Sequence, residues 1–158
     1  MNDKVFRDHL VNLLKGGQAF VTFERAVKDV KPELRNKKPA GEIHSVWEIL
    51  EHMRIAQEDI LKYSIDPKWE SPDWPEGYWP KNSDAIDDNV WTNSVAAFLK
   101  DREEVIKFAI NEKIDLTSII PHTKEHTYLR EILLIADHNA YHLGQIVIAR
   151  KSLNDWQG

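Results

Sequence analysis

His138 and His142 stand four residues apart inside the most apolar stretch of the chain, residues 132–148. A helix stacks residues i and i+4 on one face. Two imidazoles stacked in this way can grip one divalent metal ion. Turned at about 100° per residue with His138 as zero, one broad helix face also carries Glu131, Leu134, Ile135, Tyr141, His142, Gln145 and Ala149, and Ile132, Leu143 and Ile146 widen the apolar surface to one flank. Spacing alone leaves two readings open. The pair is either two metal ligands or two core histidines bonded to neighbouring side chains.

A metal would need a third ligand, and the chain has no cysteine, so its protein ligands are His or carboxylate. His52 lies on the border of an apolar stripe, with Glu48 four residues before it and Asp59 seven after. An imidazole there can reach inward while its other nitrogen finds a carboxylate or carbonyl. Taken alone, His52 reads as an ordinary boundary residue, and Glu48 and Asp59 read equally as partners of a ligand or as solvated carboxylates. His122 and His126 repeat the i, i+4 spacing. They follow Pro121 and enclose Thr123, Lys124 and Glu125, so they read as solvated loop. His9 reads as a surface residue. His44, just before Ser45, reads as a turn residue that could also lean over a pocket mouth.

The elements that must position these residues are helical. Val5, Phe6, Leu10, Leu13 and Leu14 recur at helical spacing over residues 3–15. Gly16 and Gly17 break that helix, and a second piece runs from Phe20 to about Val30, before Pro32. Residues 31–43 form a loop. Ser45 and Glu48 form a capping box that opens a helix to about Tyr63. Pro67, Pro72, Pro75 and Pro80 keep residues 65–82 out of helix. Three tryptophans and Tyr78 fall between Trp69 and Trp79, which suits a lid, a pocket wall or a plug over one end of the fold. The next helix starts near Ser83 and Asp84 and reaches Ile110. After a connection over 111–126, with some extended structure near Ile119, the last helix follows Thr127 to about Leu153. Four main helices with one long link predict an all-α, four-helix-bundle domain over residues 1–158. A link extended at about 3.3 Å per residue could span roughly 50 Å, longer than the roughly 30 Å of a 20-residue helix. It could therefore serve as a crossover between helices two and three.

Composition excludes whole classes of function. Apolar residues make up 42% and charged residues 30%, the balance of a globular chain. No apolar run reaches the roughly 20 residues of a membrane span. The polar N-terminus lacks a signal-peptide core, so a cytoplasmic location is expected. A net charge of −5 disfavours nucleic acid. Without cysteine, disulfides, thiolate catalysis and cysteine-type zinc sites are excluded.

The runs Trp47-Glu48-Ile49-Leu50-Glu51-His52 and Asp137-His138-Asn139-Ala140-Tyr141-His142-Leu143-Gly144-Gln145, with Arg150 and Trp156 behind, resemble the DinB/YfiT-like superfamily. So do Gly16-Gly17, the Pro-Glu-Leu-Arg turn at 32–35, His44-Ser45 and the Glu-Gly-Tyr-Trp-Pro run at 76–80. The resemblance implies a four-helix bundle with an unusual helix order. It also implies a divalent metal held by three histidines, which here are His52, His138 and His142. It extends to metal-dependent transfer of a low-molecular-weight thiol such as bacillithiol, mycothiol or glutathione, to metal-dependent hydrolysis, and to homodimers. Three neutral imidazoles suit zinc, nickel, manganese, cobalt or iron and leave an open position for a small-molecule substrate. Gln145, one turn past His142, is placed to bond a bound water. Tyr141 could do the same, although its ring suits core packing. A module in which the metal only ties two helices together is the non-catalytic alternative.

Overall fold

Four of the five α-helices begin behind a side chain that accepts a hydrogen bond from their first turn: Thr22, Ser45, Asp87 and Thr127. These short polar side chains satisfy amides that have no partner inside the helix, and so decide where each helix starts. The computed structural model describes residues 3–41, 44–81 and 86–157. The helices are α1 (Asp3–Lys15), α2 (Phe23–Val27), α3 (Val46–Ile65), α4 (Asp88–Ile110) and α5 (Tyr128–Ser152). Single 3-10 turns cover Pro32–Leu34 and Glu76–Tyr78. The described chain is all-α. Its one β-bridge joins Ile119 to Thr127, near the extended stretch read from the sequence.

Two helices are shorter than their apolar pattern predicts. The piece expected from Phe20 to Val30 is helical only over Phe23–Val27. Thr22 caps it on one side, while Lys28 is extended and Asp29 has φ 53° on the other. The helix expected from Ser83 starts at Asp88, because Asp87 Oδ1 accepts from Val90 N at 2.8 Å. Ser83 and Asp84 themselves lie outside the described residues. The capping box is formed as read: Ser45 Oγ accepts from Glu48 N at 3.1 Å, and Ser45 N donates to Glu48 Oε2 at 2.8 Å.

α1 packs against α4 and α5, and α3 packs against the same two helices. The sequence neighbours α4 and α5 therefore sit at opposite corners of the arrangement, as do α1 and α3. Two apolar clusters fill it. One joins Phe23, Leu50, Met53, Phe98, Leu143 and Ile146, with the Phe23 and Phe98 rings stacked at 3.9 Å. The other joins Leu10, Leu61, Val105, Ile106, Ile132 and Ile135. Each fully buried large side chain contributes about 1.5–3 kcal/mol. Between α3, α4 and α5 runs a buried polar link. Asn139 Nδ2 donates to Gln57 Oε1 at 3.0 Å, and Gln57 Nε2 donates to the Phe98 carbonyl at 2.8 Å. Arg150, buried near the end of α5, ties the chain's last turn to α2. It donates to the carbonyls of Ala26 and Lys28 and to Asp155. Among the described residues, no helix is long and apolar enough to cross a membrane.

Candidate metal centre

α3 brings His52 to the site, and α5 brings His138 and His142. The three residues share no local motif, yet one ring nitrogen of each lies within 4.8 Å of the others. Nε2 of His138 is 3.1 Å from Nε2 of His52. The ring centroids are 4.4–4.9 Å apart.

Hydrogen bonds on the far side of two rings set their tautomers. Nδ1 of His52 is 2.9 Å from the Tyr78 carbonyl, which can only accept, so Nδ1 carries the proton and Nε2 presents a lone pair. Nδ1 of His142 is 2.6 Å from Gln145 Oε1, which likewise takes the Nδ1 proton and frees Nε2. Imidazoles that ligate a metal are commonly oriented in this way. Two zinc–nitrogen bonds of about 2.0–2.1 Å at the tetrahedral angle put their nitrogens about 3.3 Å apart. The observed 3.1 Å separation is close to that. The donor set therefore fits a divalent ion bound through three neutral imidazoles.

Burial keeps these imidazoles neutral. It pushes His138 down to about 3, helped by the proximity of His142 and His52. It pushes His142 down to about 4, with the bond to Gln145 opposing the shift. His52 is also lowered, first by burial, while the Tyr78 carbonyl works in the other direction.

The core stripe of α5 is rotated away from the face centred on His138. Its buried residues include Ile132, Ile135, Asn139, Leu143 and Ile146, a stripe centred near Asn139 and about 100° round the helix. The two histidines sit on the flank of that stripe, where a ligand can reach them. Leu134 and Tyr141, expected inward, lie beyond the flank and are exposed. Tyr141 is 65% exposed, so its ring does not pack in the core. It stands edge-on to His142 at 4.9 Å. Gln145 engages His142 through its oxygen, because a side chain three residues on reaches back to the same face.

His52 is 5% exposed, deeper than its border position suggested. The aromatic loop accounts for this. Trp79 stacks on the His52 ring at 4.1 Å and 6°, and its opposite face takes His44 at 3.8 Å and 11°. His44 thus stands beside the site through an indole. Trp79 of this loop covers the His52 ring, whereas Trp74 is 76% exposed. Sequence reasoning did not find the Trp79 stack or the Tyr78 carbonyl. The only signal was the density of aromatic residues around 76–80.

The acidic neighbours divide. Glu48 stays with the capping box and pairs with Lys38 at 3.0 Å. Asp59 is buried and accepts from Trp69 Nε1 at 2.8 Å and from Tyr78 Oη at 2.6 Å. His122 and His126 lie in the loop before α5 and bond Tyr63, whose carbonyl and hydroxyl they meet at 2.7 and 2.9 Å. His9 is exposed.

The family model of the DinB superfamily matches residues 18–146 of the chain. No curated protein and no solved structure matches it.

Proposed function

The chain belongs to the DinB superfamily, and on that footing we propose that it is a divalent-metal-dependent enzyme that transfers a low-molecular-weight thiol to an electrophilic small molecule. The observation that carries this reading is the convergence of three neutral imidazoles, from α3 and α5, within 4.8 Å. The four long helices are read as the four-helix bundle of the superfamily, with the α3–α4 connection as its crossover. His52, His138 and His142 would hold the ion. The chemistry it supplies when bound is Lewis acidity at an open position, which acidifies a coordinated thiol or water near neutral pH.

The chain's own residues do the rest. Tyr78 and Gln145 hold two imidazoles in the donor tautomer. Trp79 and the half-buried surroundings keep water away from one side of the site. The Tyr141 hydroxyl and the Gln145 amide N–H groups are the polar contacts offered to a substrate at the mouth. With no cysteine in the chain, the sulfur nucleophile arrives from solution.

The test begins with elemental analysis of purified protein beside His52→Ala and His142→Ala. Stoichiometric metal in the wild type and its loss in both variants is the expected result. Full retention in both variants removes the site. A conjugation screen with low-molecular-weight thiols and electrophiles, run beside esterase and amidase substrates, then decides the reaction. Turnover of esters or amides alone replaces transfer with hydrolysis. Silence throughout, with metal bound, makes the ion a tie between α3 and α5.

A further inference from the structure

Asp59 lies on α3 two turns beyond His52, where it is buried and hydrogen-bonds to none of the three histidines. A buried carboxylate needs partners for its oxygens. Both of its partners come from the connection that follows α3. Trp69 Nε1 donates to Oδ1 at 2.8 Å and Tyr78 Oη donates to Oδ2 at 2.6 Å. Among the described residues, three hydrogen bonds join the strap 67–81 to the helices. Two end on Asp59, and the third is the bond from His52 Nδ1 to the Tyr78 carbonyl.

Tyr78 is thus the bridge. Its side chain is fixed by Asp59, and its main chain fixes His52. Its hydroxyl donates to Asp59, and its carbonyl accepts from His52 Nδ1. The next residue, Trp79, lies flat on the His52 ring. A flip of that ring would break the Nδ1 bond, and a tilt would drive its edge into the indole. Both restraints come from the strap, and Asp59 is what anchors the strap to the helix that carries His52.

We infer that Asp59 is a positioning residue of the metal centre: through Tyr78 and Trp79 it holds His52 in one ring orientation and one tautomer. The inference rests on the metal-site reading above but concerns a residue that touches no ligand atom. It makes metal affinity a property of the strap as well as of the three histidines. Loss of such an outer partner typically weakens metal binding about 10–100-fold.

The experiment is a Zn²⁺ titration against a chromogenic chelator, combined with ¹⁵N spectra of the histidine rings, on wild type, Asp59→Ala, Asp59→Asn and Ile106→Val. Ile106 belongs to the second apolar cluster and controls for general loss of stability. Asp59→Ala should raise the Zn²⁺ Kd about 10–100-fold. It should also turn the fixed Nδ1–H signal of His52 into an average of both tautomers. Asp59→Asn should recover most of the affinity, since its oxygen can accept from Trp69 and its amide can donate to the Tyr78 hydroxyl. Ile106→Val should leave both readouts unchanged. Wild-type affinity and a wild-type His52 tautomer in Asp59→Ala overturn the inference, as does an equal loss of affinity in Ile106→Val. If the wild type takes up neither Zn²⁺ nor Ni²⁺, Mn²⁺, Co²⁺ or Fe²⁺, the proposed function fails. The ring spectra then decide the role of Asp59 alone, and an unchanged tautomer in Asp59→Ala overturns it.

Discussion

Nε2 of His138 stands 3.1 Å from Nε2 of His52, across 86 residues of chain. The Tyr78 carbonyl takes the Nδ1 proton of His52, so a lone pair of His52 points into this short gap. A lone pair so placed needs a proton or a cation opposite it. Either a cation or the Nε2 proton of His138 can fill that place, and the predictions about the site tell the two apart.

His138→Ala and His142→Ala should each lose the bound metal, while His122→Ala and His126→Ala should keep it. The second pair has the same spacing but bonds Tyr63 in a loop. Inductively coupled plasma analysis of the four purified variants reads the difference directly. Metal loss in His126→Ala would contradict it.

Metal-stripped protein should lose stability as pH falls from neutral. In the unfolded chain these imidazoles titrate near the ordinary 6.5, whereas in the fold burial holds His138 at about 3 and His142 at about 4. Between those values the unfolded state binds protons that the native state refuses, so stability falls with pH through this window and levels off below it. Melting temperatures from pH 7 to 4, for wild type beside His138→Asn, test this. The variant should lose less over that window, and parallel curves would count against the buried neutral state of His138.

Zn²⁺ binding should change tryptophan emission through Trp79, whose ring lies 4.1 Å above that of His52. The chain has six tryptophans, so the assignment depends on Trp79→Phe. The response should vanish in that variant and persist in Trp74→Phe, whose ring is open to solvent. A full response in Trp79→Phe would mean that the stack does not report on the site.

Ser45→Ala should cost about 0.5–2 kcal/mol of stability in chemical denaturation. It removes the cap on α3, and Ser45 Oγ also donates to Asn36 Oδ1 at 2.9 Å. Ser45 is fully buried, so the orphaned amide of Glu48 would find little water to replace it.

Phe98→Ala should cost about 3–5 kcal/mol. Its ring is 1% exposed and stacked on Phe23, so deletion leaves a cavity between α2, α3 and α4. Exposed Val90→Ala, on the same helix, should cost far less. Equal denaturation midpoints for the two variants would contradict the placement of the core.

Helices and caps were legible because their causes are local. The Ser45–Glu48 box and the apolar spacing of α1, α3 and α5 act within a few residues, so they can be read in one dimension. The starts of α2 and α4 were less legible, since Thr22 and Asp87 compete with upstream residues of similar pattern. The rotation of α5 was legible only in part, with Leu134 and Tyr141 misplaced, for a related reason. A helix with apolar residues nearly all round has no sharp periodic minimum, and only its packing against α1, α2 and α3 shows which stripe is core.

The sequence by itself determined that the chain is helical, that it has no thiol, and that two histidines share one helix face. It also carried the family resemblance, which named His52 before any geometry did. Tertiary structure alone decided that His52 and His138 meet at 3.1 Å. It alone placed the Tyr78 carbonyl and Trp79 on the His52 ring and turned Asp59 from a neighbour of the site into the anchor of its wall. Those contacts join residues far apart along the chain. They depend on how helices cross and where an irregular strap lies, and neither leaves a periodic trace in the residues that make them.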